Sequence, residues 1–145
     1  MAIATLLSLR DNKIPLPACA VCISPWVNLS HTGEKNHNNN DPILNPELLN
    51  TFALYYAGDT DTTDPLISPF FADLKDLPPI LIQAGTNEIL EDQIKQFIEK
   101  NRLTGVEIEL DLWDGLFHVF QIIPILPEAK RSLEKIAVFV TNKLA

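Results

Sequence analysis

Three short apolar segments, separated by patterns of helical period, constrain this chain more than any other feature. Residues 18–24 form a continuous apolar run with Pro25 beyond it. A run without alternation suits a strand covered on both faces. Residues 80–84 follow Pro78 and Pro79 and stop at Gly85. In residues 106–113, Val106, Ile108, Leu110 and Leu112 alternate with Glu107, Glu109, Asp111 and Trp113, the pattern of a half-buried strand. Strand and helix in alternation predict an α/β fold with parallel pairing and right-handed crossovers. The continuous first strand is expected in the interior of the sheet and the alternating third near an edge.

Four segments carry helical signals. Residues 2–10 read as a helix that begins without an N-cap. Residues 46–57 place Leu48, Leu49, Phe52, Tyr55 and Tyr56 along one side, with Pro46 in the first turn, where a missing N–H does no harm. Residues 90–103 bring Leu90, Ile94, Phe97 and Ile98 to one face, with Gly105 as the expected C-cap. Residues 127–144 carry the stripe Ala129, Leu133, Ile136, Ala137, Val140 and Leu144, leaving Glu134 and Lys135 to water. Residues 26–41 are rich in Asn and His and read as a long loop, and residues 58–76 are rich in turns.

At 145 residues, one domain spanning 1–145 is the simplest count, and a hydrophobic content of 46% is enough for a core. The net charge of −8, scattered along the chain, argues against nucleic acid or an anionic membrane as the main partner. No apolar run has the length of a membrane span. The apolar start at residues 1–9 has no basic region before it, so a helix is expected rather than a signal peptide. Cys19 and Cys22 have C-x-x-C spacing, but positions i and i+3 of a strand point to opposite faces. They read as small hydrophobes, and an intracellular, cytoplasmic setting is expected. His31 and His37 lie in the Asn-rich loop with no cysteine nearby and make a poor metal site.

Candidate chemistry gathers at two strand ends. Glu88 follows Gly85 after the second strand, and His118 follows Gly115 after the third. Ligands of open parallel sheets bind beyond the carboxyl ends of the strands. A carboxylate bound to one imidazole nitrogen fixes the tautomer and stabilises the imidazolium formed when the ring takes a proton from a nucleophile. The bland alternative is a solvated loop acid and a packed core histidine. Asp92 is a rival acid whose expected place is the start of a helix, near the positive end of its dipole. Ser24 ends a strand, but Pro25 follows and no elbow glycines flank it, so it is rejected as a nucleophile. No Gly-x-Ser-x-Gly occurs in the chain.

Several segments then carry a resemblance through their order and spacing: Ser24-Pro25-Trp26-Val27-Asn28-Leu29, Asp41-Pro42-Ile43-Leu44, and Asp64-Pro65-Leu66-Ile67-Ser68-Pro69. Leu77-Pro78-Pro79-Ile80-Leu81-Ile82-Gln83, Glu88-Ile89-Leu90 with Asp92, His118-Val119-Phe120 and Leu126-Pro127-Glu128-Ala129 continue it. Through almost its whole length the chain resembles the C-terminal half of the bacterial hormone-sensitive-lipase-like esterases of the α/β-hydrolase superfamily. The resemblance implies a partial α/β-hydrolase fold, with the nucleophile elbow and the oxyanion loop absent from these residues. It implies Glu88 as triad acid, a variant of the more usual Asp, and His118 as general base. Asn28 stands where the family commonly has Asp. Leu116, Phe117, Val119 and Phe120 are expected to line the acyl or alcohol pocket of a small ester substrate. No metal or organic cofactor is implied. Two alternatives stand beside the esterase reading: a non-catalytic binding or assembly module, and a complementing half that docks onto an N-terminal half carrying the serine. The family habit of dimerising near residues 106–113 also makes a homodimer an expectation.

Overall fold

The computed structural model describes residues 1–31 and 41–145; His37 and part of the expected 26–41 loop lie outside the described residues. The elements in chain order are α1 (Ala2–Asp11), β1 (Ala20–Ile23), α2 (Pro46–Ala57), β2 (Ile80–Gly85), α3 (Glu91–Lys100), β3 (Ile108–Trp113) and α4 (Pro127–Leu144). The three strands form one parallel sheet in the order β1-β2-β3. Ala20 pairs with Ile80 and Ile80 with Ile108, so the carboxyl ends of all three strands emerge on the same side.

β2 is the interior strand and is buried at every position. β1, expected in the interior, pairs only with β2 among the described residues and is buried fully at Cys22 alone. An apolar run shows that a strand is covered on its faces; it carries no information about whether both edges find partners. β3 lies at the other edge, as its alternation predicts.

The core joins Ile3, Leu6 and Leu7 of α1, Leu49 of α2, Ile80, Ile82 and Ala84 of β2, and Ile94 and Phe97 of α3. The faces of two helices differ from expectation. α2 buries Leu49, Ala53 and Ala57, while Phe52, Tyr55 and Tyr56 are exposed. α4 buries Ala129, Ser132 and Phe139 and leaves Leu133 and Leu144 exposed. In both helices small residues share the buried face with a single large side chain, Leu49 or Phe139, and several other bulky apolar side chains face outward. Lys135 of α4, expected in water, forms an ion pair with Asp111 of β3.

The end of α3 also departs from the pattern. Asn101, not Gly105, is the C-cap, and its buried side-chain amide donates to the Phe97 carbonyl at 2.8 Å. A polar side chain that satisfies an orphan carbonyl can replace the left-handed glycine turn. Gly105, at φ 80°, serves the later turn into β3. Pro46 does fall in the first turn of α2, where Asn45 caps the helix by accepting from Leu48 N at 2.9 Å. Among the described residues no helix is long and apolar enough to cross a membrane.

Candidate active site

The site begins at the sharp exits from β1, β2 and β3. At the end of β2, Gly85 lets the backbone of the following turn approach the loop after β3: Asn87 N donates to Leu116 O at 2.9 Å and Thr86 N to Trp113 O at 2.9 Å. Gly115 N donates to Thr86 Oγ1 at 2.8 Å, and Asn87 Nδ2 to Gly115 O at 3.0 Å. These bonds lace the turn carrying Glu88 to the loop carrying His118.

Glu88 is fully buried. Its Oε1 accepts from Gly85 N at 2.7 Å and from Ser24 Oγ at 2.6 Å. Its Oε2 faces His118 Nδ1 at 3.5 Å. That separation is longer than the 2.7–3.2 Å of an ordinary N–H···O bond. Both atoms are buried, and neither has a hydrogen-bond partner among the described residues. The His118 side chain keeps 19% of its surface exposed. Its neighbour Val119 holds a left-handed conformation at φ 53°, an outlier for a β-branched residue.

Asp92 lies in the first turn of α3, and among the described residues no hydrogen bond or ion pair joins it to His118. Of the expected pocket residues, Leu116, Phe117 and Val119 are half-buried around His118 in sequence. Phe120 is fully buried and packs its ring against Trp113 at a centroid distance of 5.6 Å. That ring belongs to the core beneath the loop. His31 uses its backbone carbonyl, which accepts from Gln93 Nε2 at 3.5 Å.

Two residues of the site carry roles that their sequence positions did not reveal. Asp41 Oδ2 accepts from Ile89 N at 3.1 Å, next to the acid, while its Oδ1 accepts from Ile43 and Leu44 N at 2.9 and 3.1 Å. Ser24, set aside as a nucleophile, is buried against the acid itself. The only signal for either was membership of a polar-Pro segment after a strand or loop. A cavity of about 680 Å³ lies elsewhere, between β3 and α4, lined by charged side chains that include the ion-paired Glu107, Asp111, Lys135 and Lys143.

Comparison with known proteins agrees with this architecture. Residues 1–122 match the family model of the alpha/beta hydrolase fold, and the chain belongs to that family. It is 38% identical to an acetyl-hydrolase of Streptomyces hygroscopicus over 97% of this chain and 48% of the relative. It is 36% identical to an esterase of Acinetobacter venetianus over 98% of this chain and 48% of the relative. Among solved structures, a hormone-sensitive lipase from a metagenome library superimposes with a TM-score of 0.93 at 31% identity, over 99% of this chain and 49% of that one. An esterase from the bacterial hormone-sensitive lipase family gives 0.91 at 36% identity, with the same coverage. The chain thus spans about half the length of the relatives it matches.

Proposed function

We propose that this chain supplies the acid and the base of a serine-type carboxylic ester hydrolase. Glu88 orients His118, and His118 takes the proton from a serine and returns it to the leaving alcohol. The observation that carries this reading is the buried approach of Glu88 Oε2 to His118 Nδ1 at 3.5 Å, at the carboxyl ends of adjacent parallel strands. A carboxylate fully removed from water and aimed at an imidazole is more than a solvated loop acid. The esterases and acetyl-hydrolases among the relatives support a small ester as the substrate class.

No Gly-x-Ser-x-Gly occurs in these 145 residues, and this reading takes the nucleophile and the oxyanion donors from residues outside them. Among the described residues β1 pairs with β2 alone, which supports that arrangement by leaving its other side to a further parallel strand. Co-expression with a segment carrying the nucleophile elbow of a related esterase tests the proposal. Hydrolysis of p-nitrophenyl butyrate that depends on both parts, and disappears in His118→Ala, is the expected result. Reconstituted turnover unaffected by His118→Ala refutes it.

A further inference from the structure

One hydroxyl touches both the acid and the loop that bears the base. Ser24 leaves the end of β1 at φ 46°, a left-handed conformation uncommon for a residue with a side chain. Its backbone N still donates to Gln83 O at 2.7 Å, so the departure from the sheet happens at this residue. The turn carries Oγ into the buried space between the ends of β1 and β2. There the hydroxyl donates to Glu88 Oε1 at 2.6 Å and accepts from Val119 N at 3.1 Å. A serine hydroxyl has one proton to give and lone pairs to receive, so both bonds coexist.

We propose that Ser24 is a positioning residue that sets the distance and angle between Glu88 and His118. The inference rests on the acid–base reading above. With Oε1 occupied by the Ser24 hydroxyl and the Gly85 amide, the carboxylate is held against rotation and Oε2 alone faces the imidazole. The second bond anchors Val119, the residue after His118, in its left-handed conformation. Loss of the hydroxyl releases the carboxylate on one side of the gap and the histidine loop on the other. Both errors fall on the same contact.

The test uses the full chain labelled with ¹⁵N-histidine and long-range proton–nitrogen spectra of the His118 ring, assigned with His118→Gln. At about pH 9 histidine rings are ordinarily neutral, and the two nitrogens report the tautomer. The Nδ1–H form is expected to dominate. Ser24→Gly removes the hydroxyl while suiting the positive φ, so it does not add backbone strain. It is expected to lower the ratio of Nδ1–H to Nε2–H about fivefold, the scale of one hydrogen bond. A folded Ser24→Gly chain with an unchanged ratio overturns the inference. Glu88→Gln separates the two levels: an unmoved ratio there sinks the acid–base reading, whereas a shift there without one in Ser24→Gly sinks only the role of Ser24. A further measurement needs no variant. The Val119 amide should exchange slowly with solvent in the unmodified chain, and exchange at the rate of an open loop overturns the anchor.

Discussion

A Cβ placed on Gly85 would stand 2.1 Å from the carbonyl oxygen of Leu116. The turn that delivers Glu88 and the loop that delivers His118 therefore meet backbone to backbone, and glycine is the residue that leaves room. The same carbonyl accepts from Asn87 N, so the close approach is also a hydrogen-bonded one. Gly85→Ala should force the two segments apart and cost about 1–3 kcal/mol or more, the range for overpacking a filled site. Urea unfolding checks the stability. A variant as stable as the parent would mean that the loop after β3 shifts without cost.

The chain by itself should show negligible turnover of p-nitrophenyl butyrate. Removal of the serine from a serine–histidine–acid site costs about six orders of magnitude. Robust activity that survives a serine-directed fluorophosphonate and is lost in His118→Ala would reveal a different nucleophile. In a reconstituted enzyme, Glu88→Gln should lower kcat by about four orders of magnitude, because an amide no longer holds the Nδ1–H tautomer.

Among the described residues β1 has a strand partner on one side only, and this edge should make the isolated chain associate. β1 and its neighbour Ile3 border a groove lined by Val21, Cys22, Ile23 and Trp26, and no charged side chain guards it among those residues. Unprotected edges of this kind pair with other chains. Sedimentation equilibrium should report species above the monomer, and co-expression with a complementing half should suppress them. A cooperative folder that stays monomeric at micromolar concentration would show that β1 is protected.

Cys22 offers a pH-dependent test of the core. Burial pushes its thiol from 9.0 up to about 11, with a smaller opposing pull from the positively charged chain start. The folded state therefore keeps the proton where the unfolded chain releases it. This contribution to stability is fully present below pH 9, falls as the pH rises through the window, and is lost above about 11. Cys22→Ala should flatten the alkaline loss of stability in urea titrations between those limits. Iodoacetamide should modify the half-buried Cys19 before the buried Cys22.

Much of the architecture was legible without coordinates. Local rules settle the three strands and the four helices, since each depends on the spacing of apolar residues within a few turns and on punctuation by Pro78, Pro79, Gly85 and Gly115. Parallel order and the clustering of Glu88 with His118 at strand ends follow from the same alternation. The face of α3 was legible, since Leu90, Ile94 and Phe97 are buried as their spacing predicts, but the faces of α2 and α4 were not. In α2 and α4 the partner surface buries Ala53, Ala57 and Ser132 beside Leu49 and Phe139, and hydrophobicity alone ranks those three below Phe52, Leu133 and Leu144, which stay exposed. The apolar run alone placed β1 in the interior, and the tertiary structure gives it one partner among the described residues, because edge pairing depends on backbone groups that every residue shares. Ser24 is the sharpest case. By sequence it is a serine before a proline, 64 positions from the acid it holds and 95 from the amide it anchors. Contacts across such separations arise only when the strand exits converge, and a hydroxyl says nothing of its partners until they do.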